Sequence, residues 1–155
     1  MRKLISLLSV ILMIAVLCPN TALANDEIVT DSYVEYFDDG SYMVTELSEN
    51  TITTFAAQTA SSYKVSHFYN SNNVKEWTVR LDATFSYTGS SATCTSAKTS
   101  YTIYNDAWKV TSAVPSKSGN KATGTFTVKK YVLGIPVKTV NKTLTITCSN
   151  TGVCS

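Results

Sequence analysis

Strict alternation of apolar and polar residues marks the second half of the chain. The clearest run is "VKEWTVRLDATFSY", residues 74–87. A period of two is typical of a β-strand with one face in a core and the other in water. We therefore predict a strand whose inward residues are Trp77, Val79, Leu81, Ala83, Phe85 and Tyr87. The intervening polar residues, beginning with Glu76, are expected to face solvent.

Two further runs predict a long hairpin near the end of the chain. "ATGTFTVKKYV" and "TVNKTLTITC" alternate in the same way, and "LGIP" between them supplies turn residues. We expect residues 122–132 to pair with residues 137–148. Their predicted core side chains are Ala122, Phe126, Val128, Val132, Val140, Leu144, Ile146 and Cys148.

The stretch "SYVEYFDDGSYMVTEL", residues 32–47, predicts another hairpin at the N-terminal side. A two-residue loop would pair Asp38 with Ser41, whereas a three-residue loop with a left-handed Gly40 would pair Phe37 with Ser41. We favour the longer loop, since it gathers Val34, Tyr36, Tyr42 and Val44 on one face. Asp38 and Asp39 are then interpreted as turn residues rather than as catalytic or calcium-binding carboxylates.

Regularly spaced turns complete the prediction of fold. Turn-forming residues recur at 70–73, 88–91, 104–107 and 117–121, and no segment has helical periodicity. The pattern favours an all-β chain, an antiparallel β-sandwich that is immunoglobulin-like in general architecture and carries an N-terminal β-hairpin. We expect residues 25–61 to form an acidic hairpin and connector, packed in one domain on a sandwich core of residues 62–155.

The first 24 residues are typical of a secretory signal peptide. Arg2 and Lys3 precede an apolar run over residues 4–17, and Ala22-Leu23-Ala24 fits a cleavage site. The run is shorter than the roughly 20 residues of a membrane-spanning helix. We therefore predict a secreted or cell-surface protein without an integral membrane segment after cleavage. Leu17 before Cys18 disfavours lipid attachment.

Charge is distributed unevenly along the remaining chain, which is neutral overall. Residues 25–60 hold eight carboxylates and no Lys or Arg, whereas residues 90–155 hold eight lysines and Asp106. The acidic segment is expected to pair with the lysine-rich strands, and the alternative is that the lysines meet an anionic partner. The lysines are dispersed and no arginine-aromatic groove is evident, so nucleic acid is not an expected partner.

Catalytic and metal-binding patterns are lacking in the sequence. His67 is the single histidine, without a Ser-His-Asp or Cys-His signature around it, and no zinc, nucleotide or dinucleotide motif is present. Two carboxylates could suffice for a glycosidase, but nothing in the sequence marks a pair. We predict no catalytic, cofactor-binding or metal-binding residues, no cofactor and no enzymatic activity.

Three cysteines follow the predicted signal peptide. Export makes a disulfide plausible. Cys148 falls on the apolar side of its strand and Cys94 follows a turn, which favours a Cys94–Cys148 bond. Cys148–Cys154 is the main rival, since "CSNTGVC" could close a small loop. In the favoured pairing Cys154 is a free thiol, exposed near the C-terminus, through which a disulfide-linked dimer could form.

Aromatic residues give the remaining hint about function. Trp77 is predicted to lie in the core, whereas Trp108 follows a turn and is expected to be more exposed. Aromatic platforms bind sugars and proteins. The candidate binding surface therefore comprises aromatic and lysine side chains: Tyr36, Phe37, Tyr42, Trp108, Lys129 and Lys130.

Four segments, "YFDDGSYMVTEL", "GSSATCTS", "SKSGNKATG" and "KKYVLGIPVKTV…LTITC", resemble a loose group of small secreted proteins from Gram-positive, clostridia-type bacteria. The resemblance covers roughly residues 33–150 and implies export, one β domain and cysteines at Cys94 and Cys148. The group has no established function, so no functional residues follow from it.

We therefore predict a non-enzymatic extracellular binding module, acting at the cell envelope on a glycan, an envelope polymer or a protein. A secreted antimicrobial or toxin-like effector that acts on membranes or competitor surfaces is the first alternative. A small extracellular hydrolase is the second.

Overall fold

The structure is a computed structural model that describes residues 28–50 and 58–155. The predicted signal peptide and most of the connector lie outside the described residues. Eight β-strands make up the described chain, which contains no helix. They are β1 (Ile28–Tyr36), β2 (Tyr42–Asn50), β3 (Thr59–Tyr69), β4 (Lys75–Tyr87), β5 (Ala92–Ile103), β6 (Trp108–Ser118), β7 (Lys121–Val132) and β8 (Ile135–Thr147).

The strands form two antiparallel sheets, which confirms the predicted sandwich. One sheet has the order β1-β2-β3-β4-β5 and the other the order β6-β7-β8. Each strand pairs with its sequence neighbour, so the chain runs up and down through both sheets and changes sheet once, between β5 and β6. The turns at 37–41, 70–74, 104–107 and 133–134 consequently lie at one end, called here the front end. The turns at 88–91 and 119–120 lie with the C-terminus at the back end.

Alternation places the core as predicted in β4, β7 and β8. The side chains of Trp77, Val79, Leu81 and Phe85 are fully buried against those of β7 and β8, among them Phe126, Val128, Leu144 and Ile146. The sheets approach closely at Gly124, where a Cβ atom would lie 3.1 Å from Thr99 and 3.4 Å from Leu81. A larger residue at this position would push the two layers apart.

The first hairpin has the longer of the two predicted loops. The Phe37 amide donates to the Ser41 carbonyl at 2.9 Å, and Gly40 has φ +77°. Tyr36 pairs with Tyr42 and Val34 with Val44, as expected. That shared face points outward, while Met43, Thr45 and Leu47 of β2 face the core.

The last hairpin extends further than predicted. β7 and β8 pair from Lys121–Thr147 to Val132–Ile135, with Leu133 and Gly134 between them. The pairing shifts at Lys130 and Tyr131. The extra residue, Val137, lies on β8, so the alternation of β7 continues past this point. The predicted core position of Val132 is nevertheless wrong, because Val132 belongs to the last pair at the tip of the hairpin, where its side chain is 51 % exposed.

Candidate functional site

A cavity of about 120 Å³ opens at the front end, where turns from both sheets meet. Its lining combines carboxylates, lysines, small polar side chains and aromatic rings: Asp39, Ser41, Phe68, Asn70, Ser71, Glu76, Trp108, Lys130 and Lys138. The first hairpin, the β3–β4 turn, the start of β6 and the last hairpin thus all contribute to one site.

Glu76 is the most deeply buried charged residue of this lining, at 3 % exposure. Its Oε1 accepts a hydrogen bond from Asn70 Nδ2 at 2.7 Å, and its Oε2 accepts from Asn105 Nδ2 at 3.0 Å and from the indole N–H of Trp108. All three donors are neutral. Among the residues that the structure describes, no lysine or arginine forms an ion pair with it. Burying a carboxylate without a cation is costly, so the three donors are needed to keep it there.

The expectation that Glu76 faces solvent is wrong, and a β-bulge is the reason. Phe68 pairs with Trp77 while the next residue, Tyr69, pairs with Lys75, so Glu76 has no partner across the strands. An extra residue of this kind interrupts alternation and redirects a side chain. Both Glu76 and its neighbour Trp77 are therefore buried.

Asp39 and Lys138 form an ion pair at the rim of the cavity. Lys138 Nζ lies 2.5 Å from Asp39 Oδ2 and donates to Ser41 Oγ at 2.9 Å. The Ser41 hydroxyl in turn donates to Asp39 Oδ1. The hydrogen bond from Lys138 is the main cause that lowers the pKa of Asp39 far below its ordinary value, and the Ser41 hydroxyl adds to it. Asp39 closes the turn as predicted and also lines the site.

Aromatic rings form the apolar part of the lining. Phe68, Trp77 and Trp108 pack together with ring centroids 4.9 to 6.0 Å apart. Lysine ammonium groups lie over two of these rings, Lys130 at 5.8 Å from Trp108 and Lys138 at 5.1 Å from Phe68. Trp108 is 3 % exposed, so the expectation that it is more exposed is wrong: its N–H reaches Glu76 and its ring covers the core.

The predicted binding surface is divided by the structure. Trp108 and Lys130 line the cavity, and Phe37 packs behind it against Phe68 at 5.7 Å. Tyr36 and Tyr42 lie elsewhere, on the outer face of the five-stranded sheet, where Tyr42 stacks on Tyr69 at 4.9 Å. Lys129 is not part of the cavity lining.

Sequence reasoning missed seven lining residues: Asp39, Ser41, Phe68, Asn70, Ser71, Glu76 and Lys138. Asn70 and Asn105 belong to the turns at 70–73 and 104–107, which the sequence predicts as turns without any role for their side chains in a site. Asn70 does hold its turn, since its side-chain oxygen accepts from the amides of Asn72 and Val74, while its amide reaches Glu76. The one sequence signal for this site is an asparagine in a turn, Asn70, followed closely by a carboxylate at the start of the next strand, Glu76.

His67 lies on β3 and outside the cavity. Its Nδ1 is 2.9 Å from the Thr78 hydroxyl, and its Nε2 is 3.9 Å from Glu46. Burial is the main cause that lowers the pKa of His67, Lys75 adds to it, and Glu46 opposes it. Residues 28–50 and 58–155 contain no group of three or more His, Cys, Asp or Glu side chains placed to hold a metal ion.

Cys94, Cys148 and Cys154, the three cysteines of the described residues, lie buried at the back end. The amides of Cys94 and Cys148 donate to adjacent residues of one turn, Gly119 and Asn120. The Cys94 thiol is free, so the predicted Cys94–Cys148 bond is not formed in the structure and stays a prediction. Burial raises the pKa of Cys94, and the nearby Cys148 thiol adds to it.

Cys154 is 5 % exposed and lies opposite Cys148 in a β-bridge. The expectation that it is exposed near the C-terminus is therefore wrong. A dimer through Cys154 stays a prediction, and it requires the C-terminal segment to open first.

No protein-family model matches this sequence, and no curated protein or solved structure is significantly similar to it. No helix in the described part of the chain has the length and apolar character needed to cross a membrane.

Proposed function

We propose that the protein is a secreted, non-enzymatic binding module of the cell envelope whose front-end cavity takes the end of a neutral glycan. The observation that carries the proposal is the buried Glu76 carboxylate in the cavity lining, held by three neutral N–H donors beside aromatic rings. Fixed polar groups at an aromatic surface are typical of small-molecule sites, where they set orientation and specificity.

Charge and size favour a sugar over an ion. Asp39 and Glu76 are balanced by Lys130 and Lys138, so the lining as a whole attracts neither a cation nor an anion. It offers donors and acceptors side by side, which suits the hydroxyl groups of a sugar ring. About 120 Å³ is smaller than the roughly 300 Å³ at which pockets enclose a whole drug-sized ligand, so we expect only a terminal sugar to enter.

A hydrolase is the second candidate, because Asp39 and Glu76 line the same cavity. A glycosidase needs one carboxyl group that donates a proton to the leaving group. Both oxygens of Glu76 accept hydrogen bonds from nitrogen donors, and Lys138 keeps Asp39 ionised. Neither carboxyl is therefore arranged as a proton donor, which supports binding without cleavage.

A glycan and envelope-polymer array tests the proposal with the chain that follows residue 24. We expect binding to neutral glycans, and at least tenfold weaker binding by Ser71→Leu, because the added side chain fills the cavity without removing a hydrogen bond found in the structure. Asn72→Leu is the matched control, since Asn72 belongs to the same turn and does not line the cavity. Equal binding by Ser71→Leu and wild type would contradict the proposal, as would an array without neutral-glycan binding.

Mass spectrometry of each bound glycan after prolonged incubation separates the two candidates. A binding module leaves the glycan mass unchanged, whereas a hydrolase yields shorter products. The antimicrobial alternative stays a prediction with its own test, which is dye leakage from anionic vesicles together with growth inhibition.

A further inference from the structure

The tip of the last hairpin is apolar and exposed. It comprises residues 132–137, "VLGIPV", called here the apolar tip. Leu133 is 99 % exposed, and the side chains of Val132, Ile135 and Val137 are each more than half exposed. Runs of exposed apolar residues are rare on soluble proteins and mark interaction sites.

The backbone conformation at Leu133 is unfavourable for a leucine. Leu133 has φ +51°, a left-handed conformation that glycine and asparagine adopt readily and leucine does not. A fully exposed side chain contributes no core packing in return. A glycine or asparagine would suit the turn better, so neither the backbone nor the core packing accounts for a leucine at this position.

Below the apolar tip, lysines oppose one another across the strands. Lys109 pairs with Lys129, and Lys130 pairs with Lys138. Like charges placed directly opposite destabilise a sheet. Of these four, only Lys138 has an ion-pair partner within the described ranges, which is Asp39.

Few carboxylates compensate for these lysines. Residues 108–147, which contain the whole three-stranded sheet, include seven lysines and no Asp or Glu. Asp106 comes close through its turn, since the Tyr131 amide donates to the Ala107 carbonyl, and Glu76 is buried. Lys138 is paired with Asp39, and Lys130 lies in the cavity with Glu76. Lys109 and Lys129 on the other face of this sheet therefore have only Asp106 near them, and this side of the base of the apolar tip attracts anions.

We propose that the apolar tip docks on the surface of an anionic lipid bilayer. Leu133 and Ile135 enter the interfacial region, while Lys109 and Lys129 contact lipid phosphates. Apolar burial together with lysines near the surface is the combination that gives peripheral membrane binding. Two other partners fit less well. A soluble anionic polymer would contact the lysines and leave the apolar tip exposed, and a second copy of the chain docked tip to tip would bring like-charged lysines together.

Flotation with vesicles tests this inference, which is separate from glycan binding. Wild type is expected to float with vesicles of phosphatidylcholine and phosphatidylglycerol and not with phosphatidylcholine alone. Leu133→Asn is expected to bind about tenfold more weakly, since the buried leucine is lost. Asn tolerates the left-handed backbone, so this variant keeps the fold. Val153→Asn removes an exposed aliphatic side chain at the back end and should bind as wild type does.

Two more variants examine charge and depth. Lys129→Gln is expected to weaken binding about fivefold, because each lysine near an anionic surface contributes that factor. The fluorescence emission of Leu133→Trp should shift to shorter wavelength with anionic vesicles, because the new tryptophan moves from water into the bilayer interface. Trp77 and Trp108 are already buried in the protein, so their emission should not change. Three results would overturn the inference: no flotation of wild type, unchanged flotation of Leu133→Asn, or binding to soluble polyphosphate that competes fully with the vesicles.

Discussion

Glu76 marks the point at which the alternating sequence pattern of β4 no longer predicts whether a side chain is buried. Alternation along β4 assigns its neighbours Trp77 and Val79 correctly to the core. The pattern fails at Glu76 because the opposite strand supplies one residue fewer there, at the bulge beside Tyr69. Bulges depend on how two strands align, which neither strand determines alone.

We predict that Glu76→Gln lowers the free energy of unfolding by about 1 to 3 kcal/mol, the cost of leaving buried polar groups without partners. The glutamine would place an NH₂ group against one of the three N–H donors. Urea denaturation measures the change. Asp82→Asn on the same strand is the control, since Asp82 forms a partly exposed pair with Arg80, and such pairs contribute about 1 kcal/mol or less. Equal losses in the two variants would contradict the buried role of Glu76.

Among the elements, the two hairpins differ in how well their sequences predict them. The Asp-Asp-Gly turn predicts the register of β1 and β2, because glycine readily adopts the left-handed conformation that this three-residue loop needs. For β7 and β8 the sequence predicts the paired ranges and the inward-facing residues but not the register, and it gives no sign of the pairing shift at Lys130 and Tyr131. The C-terminal segment was not predicted to pair at all, yet it forms a bridge between Cys148 and Cys154.

This bridge leads to a prediction about the disulfide. Thr147 and Ser155 exchange two hydrogen bonds of 2.8 Å, and Ser149 donates to Val153 at 2.8 Å. Cys148 and Cys154 between them are a non-hydrogen-bonded pair, whose Cα atoms lie about 4.5 Å apart. That separation is compatible with a disulfide. The geometry therefore favours Cys148–Cys154, while the sequence pattern favours Cys94–Cys148.

Peptide mapping of the secreted protein without reduction distinguishes the two pairings. We expect one cross-link joining Cys148 to Cys154, with Cys94 alkylated only after unfolding, since its buried thiol has a raised pKa. Cys94→Ser should leave the cross-link intact. A Cys94–Cys148 peptide in wild type would instead confirm the pairing inferred from the sequence.

At the scale of the whole molecule, ion pairs connect the first hairpin to the lysine-rich sheet. Asp39 pairs with Lys138, and Glu35 pairs with Lys142 at 3.0 Å. Lys142 is 7 % exposed, and its ammonium lies 5.1 Å from the Tyr33 ring. These contacts confirm the expectation that the acidic segment pairs with the lysine strands within one molecule. Lys109, Lys129 and Lys130 take part in none of the ion pairs found in the described ranges.

Acid should weaken this connection. The pKa of Asp39 is lower in the folded protein than in the unfolded chain, so its contribution to stability is complete above about pH 4 and is lost as the pH falls below that value. We predict that Asp39→Asn loses less stability than wild type between pH 5 and pH 2. Thermal unfolding at each pH measures the difference. His67, whose pKa is lowered in the folded protein, also reduces stability in acid, but it is present in both proteins and does not affect the comparison.

Asp38→Asn is the matched control for the acid profile. Asp38 lies in the same turn and takes part in none of the ion pairs found in the described ranges. Its acid profile should follow that of wild type. Parallel profiles for Asp39→Asn and wild type would show that Lys138 does not lower the pKa of Asp39.

The sequence by itself determined the strands, most of the core and the turns, because alternation and turn chemistry are local properties of the chain. Phe85, Phe126 and Gly40 are examples that follow from neighbouring residues alone. Only the tertiary structure decided the cavity, the burial of Glu76 and Trp108, the exposure of Val132 and the place of Cys154. Each of these depends on a bulge, on how far a hairpin extends, or on segments distant in sequence that meet at one end of the sandwich.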